Sequence, residues 1–215
     1  MFRSTMLSIA LLALLTACKK NKTEEGTSAT NFLPNKAGST WTYQVKEGTT
    51  TTNYTLTATN RDSTVNANSY RVFTRSTGGP NEYYRVSGTD YFQFAVFEGL
   101  GQPLELLYLK AGLNQGATWE ETKNLTLSGV PLNVRFAYTV AEKGINYTVA
   151  GKVYNKVTRI NVQLSAPGVP IASQDINYYY ADEVGRIYSK ILLVVPLASI
   201  NTNIENSLIN YTLVP

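Results

Sequence analysis

The chain has 215 residues, a formal charge of +4 and only 16% charged residues, so its polar surface must come from its 26 Thr and 19 Asn. At ~100–200 residues per domain this is one domain with enough chain for a real core. The absence of His excludes Ser-His-Asp catalysis and His-ligated metals, and a single Cys excludes an internal disulfide and a thiolate zinc site.

Residues 1–17 read as a leader. Arg3 is followed by an apolar run from Leu7 to Leu15, ~14 Å long as a helix against the ~30 Å of a bilayer core. It is a signal-peptide core and too short to span a membrane. The next residues, Leu15-Thr16-Ala17-Cys18, resemble the bacterial lipobox. That resemblance implies cleavage before Cys18 and acylation of its sulfur and new amino group with palmitate-type chains. The membrane is then a partner through the acyl chains on Cys18, since two or more chains anchor a protein stably.

Residues 18–31 read as the lipidated Cys and a flexible tether rich in Lys, Thr, Glu, Gly and Ser. Removal of Arg3 with the leader leaves 18 basic against 15 acidic residues, and Lys19, Lys20 and Lys22 carry the excess. Beside the anchor each of these lysines could gain up to ~1 kcal/mol from anionic headgroups, or simply be solvated. The rest is close to neutral and lacks basic stripes with interleaved aromatics, so no nucleic-acid partner is expected.

Residues 32–215 repeat one pattern, apolar and polar residues alternating until a Gly, Asn, Asp or Pro cluster intervenes. Strands are predicted at 41–46, 54–59, 70–75, 83–86, 91–97, 104–109, 119–127, 132–140, 145–150, 157–164, 176–180, 186–195 and 208–214. A short helix is allowed only within 99–116. The expectation is a single all-β antiparallel domain, a curved half-barrel or a two-layer sandwich. The strands at 91–97 and 191–195 are apolar on both faces, so each lies in a layered core or lines an apolar cavity. Gly38-Ser39-Thr40-Trp41 is echoed by Gly116-Ala117-Thr118-Trp119, which shared turn chemistry explains.

Pro34, Gly38, Trp41 and Tyr43 at the opening, and Tyr179-Tyr180-Ala181-Asp182-Glu183-Val184-Gly185 at the close, resemble β-rich envelope lipoproteins of Gram-negative bacteria. Asp182-Glu183 departs from the Lys-Gly common in that group. The group carries no common activity. Its anchor and strand number are similar to the LolA/LolB-type carriers, whose curved sheet holds acyl chains. By the same analogy, Lys19 after the acylated Cys disfavours the inner membrane. The expected location is the outer membrane, with the periplasmic face and the cell surface both open.

No cofactor is expected, and the chain reads as non-catalytic. The adjacent carboxylates Glu120-Glu121 and Asp182-Glu183 point to opposite faces of any extended segment and cannot converge on one substrate. The function expected is binding of an apolar or amphipathic ligand, such as a lipid, on a concave β face, with Phe92, Phe94, Tyr178 and Tyr180 as candidate contacts. The alternative is a module that contacts glycan or a partner protein through exposed Tyr83, Tyr84 and Tyr178 to Tyr180. Tyr178 and Tyr180 should share one face with Tyr179 opposite. Asp62-Ser63-Thr64 resembles an acceptor site for O-glycosylation and is read as part of a turn.

Overall fold

A computed structural model describes residues 30–96, 102–127 and 130–215. The leader, Cys18 and most of the tether lie outside the described residues, as do residues 97–101. Twelve antiparallel strands form one sheet. They are β1 (Thr40–Glu47), β2 (Thr50–Val65), β3 (Asn68–Arg75), β4 (Glu82–Ser87), β5 (Asp90–Val96) and β6 (Pro103–Lys110). Then follow β7 (Thr118–Leu127), β8 (Val130–Val149), β9 (Lys152–Ser165), β10 (Ser173–Ala181), β11 (Gly185–Val195) and β12 (Ile200–Thr212). A 3-10 turn, Pro196–Ala198, precedes β12.

The order β6-β5-β4-β3-β2-β1-β12-β11-β10-β9-β8-β7 joins two six-stranded meanders through the β1–β12 pair. The sheet curls until its two edges, β6 and β7, face each other in a nearly closed barrel. Inward positions alternate with outward ones as a pleat requires. Trp41, Tyr43, Tyr54, Leu56 and Ala58 are buried, while Thr42, Gln44, Thr55 and Thr57 lie on the outside. Along β8, Val134, Phe136, Tyr138 and Val140 point in, with Asn133 and Arg135 exposed. This polarity is the reverse of a membrane-spanning barrel, whose apolar band faces outward.

No backbone ladder joins β6 to β7 among the described residues. Side chains close the seam instead. Glu121 Oε2 accepts from the Leu107 N–H at 2.9 Å, and the Trp119 indole donates to the Leu107 carbonyl at 2.9 Å. The Gln102 amide does the same for Thr126, donating to its carbonyl at 3.0 Å and accepting from its N–H at 3.3 Å. Each side chain set thus replaces one rung of a strand pair. Glu121→Ala should cost about 1–3 kcal/mol by orphaning the Leu107 N–H. Amide hydrogen exchange should speed up first at Leu107; unchanged protection there would contradict this closure.

The floor of the barrel explains the opening and closing sequence motifs. The Trp41 indole donates to the Val184 carbonyl at 2.7 Å and the Tyr43 hydroxyl to the Arg186 carbonyl at 2.8 Å. Asn31 and Phe32 run across this end, with the Glu183 N–H donating to the Asn31 carbonyl at 2.7 Å and Phe32 and Leu33 buried. Gly185 has φ +96, and a Cβ there would lie 3.3 Å from the Phe32 carbonyl oxygen, so glycine is required. The two Gly-small-Thr-Trp copies also make the same bonds. Gly38 N donates to the Ala58 carbonyl and Gly116 N to the Val140 carbonyl, both at 2.8 Å.

Several expectations are corrected. The predicted strands 132–140 and 145–150 are one strand, β8. Gly144, at φ +74, lies among register shifts rather than in a turn, so the strand bends without ending. The two-layer sandwich is replaced by one rolled sheet. The described part of 99–116 holds β6 and a turn instead of a helix. Asp62-Ser63-Thr64 lies in β2, with Asp62 paired to Arg71 at 2.6 Å. The turn itself is Asn66-Ala67, both at positive φ as a tight hairpin demands.

Candidate ligand cavity

The barrel interior is filled from both ends by large side chains, and a cavity of about 70 Å3 remains. It opens at the end opposite the floor, beside Pro80, Asn81 and the exposed Val96. One wall is apolar: Leu104, Leu106, Phe136, Val162 and Ile191. The other carries Arg75, Glu82, Gln93 and Arg186, with Tyr108, Tyr138, Tyr178 and Tyr180 around them. A second cavity of about 30 Å3 lies toward the floor, between Phe32, Trp41, Tyr43 and Phe73. Gln93, Tyr108, Tyr180 and Arg186 border both and form the partition.

Glu82, buried at the start of β4, accepts from the Tyr84 hydroxyl at 2.6 Å and from Gln93 Nε2 at 2.9 Å. Arg75 Nε stands 3.6 Å from its other oxygen, and the Arg75 guanidinium covers the Tyr54 ring at 3.9 Å. Arg186 donates from Nη2 to the Tyr54 hydroxyl at 3.3 Å and lies 5.2 Å from the Tyr43 ring centre. Its Nε is buried with no hydrogen-bond partner, as is that of Arg75. Burial opposes the Arg186 charge, but Tyr54, Tyr84, Tyr43 and Glu82 outweigh it and hold the guanidinium firmly protonated.

Arg186 owes its position to a bulge. In β11 it alternates with Tyr188 and Lys190, which lie on the outside. Tyr179 pairs with Tyr188 but Tyr180 pairs with Arg186, so Ile187 is an extra residue. A bulge of this kind reverses the phase of the alternation and re-aims a side chain. Arg75, Glu82 and Arg186 were not among the residues singled out from sequence. For Glu82 the signal was present: it shares a strand face with Tyr84, two residues on.

The four candidate contacts do not converge. Tyr178 and Tyr180 point inward, 6.4 Å apart, with Tyr180 tilted against Tyr108 at 5.2 Å. Phe92 and Phe94 lie on the outer face of β5, because Tyr91 and Gln93 take the inner positions. Arg85 covers Phe92 at 3.8 Å, and Phe94 packs on Tyr83 at 5.9 Å. Tyr179 lies opposite its neighbours, as alternation requires, stacked on Tyr147 at 4.1 Å and edge-on to Tyr188 at 5.5 Å. Of the tyrosines expected on an exposed platform, Tyr84 and Tyr180 are buried.

Burial raises Tyr43, Tyr84, Tyr108, Tyr138 and Tyr180 above the usual phenol range. On the outer face Tyr147 is pushed up to about 12, mainly by desolvation and then by Tyr179. A pKa raised on folding means that the folded state holds its proton more tightly. This stabilisation is complete below the unfolded phenol value, ~10, and is lost as pH rises through the folded values. Thermal stability should therefore be insensitive to these phenols below pH ~9 and fall steeply above ~10. In an ultraviolet titration the interior phenolates should form only with unfolding; smooth ionisation of all phenols near pH 10 in the folded chain would contradict their burial.

Among the described residues the fold and cavity define a polar-surfaced β-barrel with a plugged floor and a charged, partly apolar chamber. No protein-family model and no curated protein matches the chain. Among solved structures it is similar to a proposed lipoprotein from Parabacteroides distasonis ATCC 8503 at 12% identity. That similarity covers 85% of this chain and 99% of the other, with a TM-score of 0.48.

Proposed function

We propose that the chain is a non-catalytic lipoprotein, anchored in the outer membrane through acyl chains on Cys18, whose barrel holds an amphipathic ligand. The observation that carries the binding reading is the chamber with an apolar wall facing Arg75, Glu82, Gln93 and Arg186. Pockets that bind small molecules are largely apolar with a few convergent polar groups. The concave face expected from sequence corresponds to this interior. The anchor rests on the lipobox resemblance at Leu15 to Cys18.

The chain enters the barrel at its floor. Eleven residues separate Cys18 from Thr30, a reach of at most roughly 40 Å. The cavity opens at the end opposite this entry. Native mass spectrometry of the chain from Lys19 to Pro215, which keeps every described residue, tests the binding reading. After incubation with mixed fatty acids and fatty alcohols, one adduct per chain is expected; a bare mass throughout argues against a binding role.

A further inference from the structure

We infer that the chamber takes a monocarboxylate with an apolar tail, its carboxylate on Arg186 and its tail along Leu104, Leu106 and Ile191 toward the open end. This names the ligand of the cavity and rests on the binding reading above.

The polar wall holds two guanidinium groups, Arg75 and Arg186, and one carboxylate, Glu82. Glu82 is already engaged by Tyr84, Gln93 and Arg75. No ion pair among the described residues includes Arg186, and buried charges are ordinarily paired. One positive charge is therefore in excess, and a single negative charge restores neutrality. A dianionic phosphate would overshoot and face Glu82. Arg186 lines the chamber with a guanidinium whose Nε has no hydrogen-bond partner, and a planar guanidinium matches a carboxylate in two-point geometry.

The volume fits the head of such a ligand. A cavity of about 70 Å3 has room for roughly five waters, or for a carboxylate and its first few carbons. The tail then passes the exposed Val96 at the mouth. The β11 bulge serves this arrangement, because without Ile187 as an extra residue Arg186 would face outward.

Titration calorimetry on the chain from Lys19 to Pro215 with octanoate, octanol and inorganic phosphate tests the inference. Octanoate should bind one to one, octanol about 10- to 100-fold more weakly, and phosphate not at all. Arg186→Met should weaken octanoate by a similar factor and leave octanol unchanged. Equal affinity for octanoate and octanol, tight phosphate binding, or an Arg186→Met chain that keeps full octanoate affinity overturns the carboxylate pairing and leaves the apolar chamber standing. Binding of none of the three probes removes both.

A pH series on the unaltered chain keeps the test decisive if Arg186→Met fails to fold. The groups facing Arg186 are Tyr43, Tyr54, Arg75, Glu82, Tyr84, Tyr108 and Tyr180. Loss of octanoate affinity as pH falls from 7 through the ordinary carboxylic-acid range, ~4–5, reports protonation of the ligand and supports the pairing. Affinity that is constant or rises across this range contradicts it.

Discussion

Trp41→Ala is expected to lower the stability of the barrel by about 3–5 kcal/mol, the range for emptying a buried aromatic site. Trp41 is 4% exposed, packs on Phe73 at 5.7 Å and donates to the Val184 carbonyl. Its loss leaves a cavity at the floor and an orphaned carbonyl in the turn that receives the N-terminal segment. Trp119, its counterpart in the second meander, is half-buried and stacks on Tyr138 at 4.9 Å beside the seam. Trp119→Ala should cost clearly less, about 1–3 kcal/mol, most of it from the lost bond to Leu107. Denaturant unfolding of both variants measures the difference. Equal losses would contradict the view that the floor is a continuous core and the β6–β7 edge a side-chain seam.

Cys18→Ser should release the protein from the membrane entirely. Each buried methylene of an acyl chain contributes ~0.8 kcal/mol, and two or more chains make attachment stable. The outer positions of the described barrel mix polar Thr42, Gln44, Thr55 and Arg135 with aromatics such as Phe92, Phe94 and Tyr179 that pack against neighbouring side chains. Its large exposed hydrophobics, among them Val86, Val153 and Leu197, are scattered singly. Partition into a detergent phase should fall from nearly complete to negligible. A serine variant that stays with the membrane would overturn the anchor and move attention to the barrel wall.

The architecture was legible wherever alternation ran unbroken. Leu132, Val134, Phe136, Tyr138 and Val140 mark one face of β8 with a period of two, and Trp41, Tyr43 and Val45 do the same for β1. Period two reports the face of a strand but not a slip in phase. By sequence phase Arg186 falls with Tyr188 and Lys190, and Ile187 carries no local sign that it is an insertion. Phe92 and Phe94 misled for a related reason. Their strand is apolar on both faces, yet the outer face is covered by Arg85 and Tyr83 from the neighbouring strand, a pairing set by register. The seam was equally hidden. Gln102, Trp119 and Glu121 meet their partners across the closure of the barrel, and only the rolled sheet brings those edges together.

A crystal structure of the chain with bound octanoate locates the ligand outright. The carboxylate should lie within hydrogen-bond distance of Arg186, with the alkyl chain against Leu104, Leu106 and Ile191. Octanoate on the outer Tyr147–Tyr179–Tyr188 face, with the interior unoccupied, would contradict it.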